Sequence, residues 1–137
     1  MKKKTSAQLK KKLDTIFSRY IRLKHSKPNG DLSCYTCGKI GTLKTMQCGH
    51  FVSRQYLATR WDEDNCRPQE VGCNVWGNGK PLDFEEKLKR ELGEEKVEEL
   101  KRKRHQILKL SPQWYEEQIS HYEKEVIRLE DKNRQYE

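Results

Sequence analysis

Five cysteines, one histidine flanked by small and apolar neighbours, and two asparagines fall between Cys34 and Asn74. They are the side chains of this sequence best suited to chemistry. Cys34-x2-Cys37 followed by Gly38 is a tight turn in which two thiolates can meet one ion tetrahedrally, and it needs further ligands from elsewhere in the chain. Cys73 supplies a third. The fourth stays open between Cys66 and Glu70, with Cys48 as a further candidate, and the expected ion is a structural zinc. Idle thiols are the plainer alternative, but they would leave a centre poor in apolar residues with nothing to hold it.

Within Gly49-His50-Phe51, a neutral imidazole can take a proton from water, and of the two asparagines, Asn65 and Asn74, one amide oxygen can hold a hard Mg2+ ion that keeps several of its waters. The other amide can fix the backbone around the histidine. Arg54 and Arg60 read either as phosphate clamps, because a guanidinium grips two oxygens and offsets the charge that builds on a phosphodiester in transit, or as ordinary surface arginines. Asp62, Glu63 and Asp64 read either as helix-start charges or as additional metal ligands.

The elements that must position these groups follow from periodicity and charge. Of 137 residues, 33% are hydrophobic and 36% charged, so one large core is not expected and a metal staple suits the forty-residue centre. Residues 1–30 carry ten Lys/Arg against one Asp, residues 31–80 six against five, and residues 81–137 thirteen against fifteen. The basic excess therefore lies in the N-terminal arm, which reads either as the footprint of a polyanionic partner or as a solvated, solubilising face. That arm is an amphipathic helix with Leu9, Leu13, Ile16 and Tyr20 on one stripe and Lys10, Lys11, Arg19 and Lys24 facing outward as candidate DNA contacts. Thr5 and Gln8 form its capping box.

Residues 31–81 read as two short strands and a short helix capped by Asp64, with Pro68 in its first turn. Residues 82–137 read as helices: one broken at Leu92-Gly93, a second ending in Lys101-Arg102-Lys103-Arg104, and a third opened by Ser111-Pro112. In the last, Tyr115, Ile119, Tyr122, Val126 and Leu129 form a seam that needs a partner, either the N-terminal helix or the same helix of a second copy. Trp61, Trp76 and Trp114 lack the regular spacing of a stacking platform, which favours packing roles. With no apolar run long enough for a membrane span and no apolar core after Met1-Lys2-Lys3-Lys4, a soluble cytoplasmic protein is expected.

Taken together, Cys34-x2-Cys37, Gly49-His50-Phe51-x2-Arg54, Arg60-Trp61-Asp62-Glu63-x-Asn65, Gln69 and Cys73-Asn74 resemble the signature of the phage NinG (Rap) recombination endonucleases, relatives of the HNH, or ββα-metal, nucleases. The likeness extends over roughly residues 30–130. It implies an α+β fold with a small zinc-stabilised ββα-metal core between N- and C-terminal helices. It further implies His50 as general base, Asn65 as support for the loop bearing it, and Asn74 as ligand of a catalytic Mg2+ or Mn2+. The substrate would be branched DNA such as D-loops and Holliday junctions, and cutting both strands of a junction suggests a homodimer through the terminal helices. The chain departs from the pattern at Glu70, where the family has a zinc cysteine, and carries Gly49 where many HNH enzymes have an acid. Two rival readings are a non-catalytic zinc-stabilised DNA-binding module and a thiol redox protein, the latter lacking the βαβ setting its C-x-x-C would need.

Overall fold

The computed structural model describes residues 3–134. Helix α1 (Ser6–Lys24) begins at the expected box, with the Gln8 amide donating to Thr5 Oγ1 at 3.1 Å and the Thr5 amide to Gln8 Oε1 at 2.8 Å. Helix α5 (Pro112–Arg134) starts where the Trp114 amide donates to Ser111 Oγ. The two helices bury their stripes against each other. Leu9, Leu13, Phe17, Tyr20 and Ile21 of α1 share one core with Tyr115, Ile119, Tyr122, Val126 and Leu129 of α5. Burying each of the large side chains there stabilises the fold by roughly 1.5–3 kcal/mol. The seam of α5 is thus filled within the chain, and the feature that suggested a dimer is used up by α1.

Between these helices lie two antiparallel ribbons. Strands β1 (Leu32–Ser33) and β2 (Ile40–Gly41) frame the Cys34–Cys37 turn, with Leu32 opposite Gly41. Gly38 takes φ 80° there, a conformation that costs other residues dearly. Strand β3 (Met46–His50) pairs with β4 (Cys66–Glu70), setting His50 opposite Cys66 and Cys48 opposite Pro68.

The segment expected to be a helix capped by Asp64 is therefore β4. Asp62 instead caps a single 3-10 turn, Glu63–Asn65, through the Asp64 amide at 3.0 Å. Pro68 is tolerated in the strand because both members of a two-stranded ribbon are edges. Helical backbone resumes only as one wide turn, Gly72–Trp76, which carries Cys73 and Asn74.

A short helix α2 (Leu57–Arg60) precedes Trp61, whose ring packs on Trp114 and Tyr115 at centroid distances of 5.8 and 5.6 Å. Trp76, by contrast, is 82% exposed and packs on nothing substantial. Helices α3 (Pro81–Leu92) and α4 (Glu94–Lys103) break at Gly93 and cover a second core of Tyr35, Phe84, Leu88 and Val97. Two cations at the basic end of α4 are paired within the chain: Lys103 with Asp62 at 2.7 Å and Lys101 with Glu98 at 3.1 Å. No helix among the described residues is long and apolar enough to cross a membrane.

Candidate metal centre and catalytic cleft

The β1–β2 turn and the wide helical turn bring the sulfur atoms of Cys34, Cys37 and Cys73 within 4.8 Å of one another. Glu70, at the end of β4, stands beside two of them: its Oε1 lies 3.5 Å from Cys37 Sγ and 3.8 Å from Cys73 Sγ, while its Oε2 pairs with Lys39 at 3.3 Å. Cys66, the alternative fourth ligand, is excluded because it sits at the other end of β4, four residues along an extended strand, beside Cys48 and His50. Burial raises the Cys34 thiol, but the Glu70 backbone amide and the Thr36 hydroxyl outweigh it and bring it down to about 7. The Lys39 backbone amide lowers Cys37, yet burial and the Cys34 and Cys73 sulfurs outweigh that contact and push it up to about 12. Several thiolates this close repel one another, and a soft divalent cation removes the repulsion. The donor set fits a metal ion such as zinc.

His50, the last residue of β3, lines a cleft of about 820 Å³ shared with Asp14, Arg22, Gln47, Arg54 and Asn74. Its Nε2 is 2.8 Å from the Arg60 carbonyl oxygen. A carbonyl can only accept, so Nε2 carries the proton and Nδ1 keeps the lone pair. Burial, the leading influence, holds the imidazole below its usual pKa, so the ring is neutral at pH 7. Gly49 has a steric reason: a Cβ there would stand 1.9 Å from Gln69 Oε1. Gln69 spends its amide on Thr36 Oγ1 and the Gly79 carbonyl, tying the cysteine turn to the loop beneath the cleft.

Asn65 is fully buried and acts as a clamp. It accepts from the Val52 amide at 2.7 Å and donates to the Val52 and Thr59 carbonyls, both at 3.0 Å. The loop that follows His50 is thereby closed on itself. Asn74 donates to Gln47 Oε1 at 2.8 Å, which orients its amide and leaves Oδ1 as the atom able to meet a cation.

The arginines are arranged differently from the sequence expectation. Arg60 is bound in a fork to Asp14 of α1, with its Nε 3.0 Å from Oδ1, and its side chain is only 16% exposed. It is thereby a brace and is not free to clamp a phosphate. Arg54 also reaches Asp14, at 2.8 Å, but stays 62% exposed and lines the cleft.

Of the outward cations of α1, Arg19 pairs with Glu130 and Lys24 with Glu63, leaving Lys10 and Lys11 without an ion pair among the described residues. Asp62 and Glu63 do not line the cleft: Asp62 holds Lys103, and Glu63 accepts from Tyr20 and Lys24. Asp14, which the sequence reading passed over, gathers Arg54, Arg60 and the Trp61 indole at 2.9 Å. The available signal was its being the one acid in a strongly basic arm.

Neither a curated protein nor a solved structure gives a significant match to the chain. The profile of the family described as bacteriophage lambda NinG protein does match, over residues 1–133. The match takes in α1, which the motifs alone left outside, and α1 contributes Asp14 to the wall of the cleft. With the thiol centre, the cleft and both flanking helices inside one continuous match, the chain belongs to the bacteriophage lambda NinG family.

Proposed function

We propose that this chain is a metal-dependent endonuclease acting on branched DNA in phage recombination, built on a ββα-metal core. What supports a core of that kind is the antiparallel β3–β4 ribbon followed directly by the wide helical turn bearing Asn74. The observation that carries the reading is His50 itself: a neutral imidazole, pinned through Nε2 with Nδ1 basic, on the wall of an open cleft that also holds an exposed arginine and an oriented amide. His50 Nδ1 takes the proton of the attacking water as its oxygen closes on phosphorus. Asn65 keeps the loop beside His50 in place. Arg54 faces the phosphate oxygens, and Arg60 acts indirectly, by holding the carbonyl that orients the ring.

A hard divalent cation, Mg2+ or Mn2+, would be held through Asn74 Oδ1, and when bound it supplies charge neutralisation at the scissile phosphate. The thiol centre keeps the turn bearing Asn74 in shape. Lys10 and Lys11 supply sequence-independent affinity that weakens as salt rises.

Replacing His50 with alanine should lower the cutting of a Holliday junction or D-loop by about 10²–10⁴-fold with binding retained. Wild-type protein that binds junctions but leaves them uncut with Mg2+ and Mn2+ would favour the rival, a zinc-stabilised DNA-binding module without catalysis.

A further inference from the structure

Cys48, His50 and Cys66 form a second group of potential ligands, separate from the thiol centre, with their donor atoms within 4.8 Å of one another. The strand register explains it. Cys48 and His50 are two apart on β3 and share a face, and Cys66 stands opposite His50 on β4. Two of the three already point their protons at one spot, the Arg60 carbonyl oxygen, with His50 Nε2 at 2.8 Å and Cys66 Sγ at 3.8 Å. Cys66 is fully buried, whereas Cys48 and His50 line the cleft, so an ion can arrive from the solvent side.

We infer that Cys48, His50 and Cys66 form an inhibitory site for a soft divalent cation of the zinc class, which switches off His50 as a base by occupying it. The donor set is two sulfurs and one imidazole nitrogen, with a fourth position left for water from the cleft, a shell that zinc accepts and that Mg2+, which prefers oxygen, does not. Binding replaces the two thiol protons, which pass to solvent. Two thiolates and one divalent ion sum to zero charge, so the filled site suits a buried setting. Blocking follows whichever ring nitrogen ligates. If Nδ1 binds the ion, its lone pair is taken directly. If Nε2 binds, the proton it now carries must move to Nδ1 in the neutral ring, and the basic lone pair is lost there too.

The inference rests on the nuclease reading for its consequence but not for the site itself. Full-length protein would be titrated with CdCl2 while the thiolate-to-cadmium charge-transfer absorbance is followed, in wild type and in Cys48→Ala. The expected result is two equivalents bound by wild type and one by the variant. A single equivalent in wild type, or two in the variant, overturns the site.

Alkylation of wild-type protein followed by mass spectrometry needs no variant: the second equivalent should protect Cys48, and a Cys48 that stays as reactive as before overturns the site. In cutting assays with excess Mg2+, the same titration should depress wild-type cleavage about 10²-fold or more and leave Cys48→Ala near its own starting rate. Cleavage that continues with the second equivalent bound overturns the inhibitory role. Failure of the nuclease reading would look different, as an absence of cutting at every cadmium concentration with the second equivalent still bound.

Discussion

Replacing Asp14 with alanine removes the carboxylate on which Arg60, Arg54 and Trp61 converge. The Arg60 side chain is 16% exposed and that of Asp14 25%, so this pair is only lightly screened, whereas Arg54 at 62% exposure contributes little. A charge-assisted bond in such a setting is worth roughly 1.5–3 kcal/mol, and the lost indole bond adds about 1 kcal/mol. Some of this returns as water reaches the freed guanidinium. A net destabilisation of roughly 2–3 kcal/mol follows, a fall of about 10 °C in Tm for a chain of this size.

The functional effect is expected to exceed what stability alone explains. His50 is oriented by the carbonyl of Arg60, whose side chain Asp14 anchors, so loosening Arg60 lets the ring turn. Junction cutting, measured well below the variant's Tm, should lose about tenfold in kcat with KM little changed, since misplacing a base acts on the transition state. Asp14→Asn, which keeps an acceptor for the indole, should recover part of both losses. A variant that melts within about 2 °C of wild type, or one that cuts at the wild-type rate, would refute the bracing role.

Further outcomes follow from other contacts. Glu70→Ala should weaken metal retention at the thiol centre, while Glu70→Cys should strengthen it, read as the chelator concentration that releases the metal; unchanged retention in both would remove Glu70 from the shell. Asn65→Ala leaves the Val52 amide and carbonyl unpaired in the interior, so unfolding in urea should show a loss of roughly 2–4 kcal/mol. Burial, aided by the charges of Arg67 and Lys24, brings His25 down to about 4. The unfolded chain then binds a proton that the folded chain refuses, so stability is complete above about pH 6.5 and declines as pH falls towards 4. His25 contributes about 2 kcal/mol of that decline after allowance for its partial exposure. Thermal melts of His25→Asn across this range should show a shallower decline than wild type.

Much of the architecture was legible because it depends on local rules. The stripe Leu9, Leu13, Ile16, Tyr20, the Thr5–Gln8 box, the Gly93 break and the Ser111-Pro112 start each act through neighbours within a turn or two, and each appears where the spacing put it. The Cys34–Cys37 turn is equally local. The helix expected after Asp64 failed for the opposite reason. Cys66 to Glu70 is extended because β3 lies beside it, and nothing within the segment announces a partner some twenty residues earlier.

The amino-acid order by itself determined which residue types were available: three thiols spaced to share an ion, a histidine outside any charged helix, and a basic arm with a single acid. The tertiary structure alone decided their allegiances. Packing α1 against α5 spent the seam that had suggested a second subunit, and it carried Asp14 to Arg60, turning an expected phosphate clamp into a brace. The pairing register of β3 with β4 moved Cys66 away from the first metal group and set it beside His50. Contacts of this kind join residues far apart in the chain, and their selection depends on how whole faces bury, which spacing along one segment does not encode.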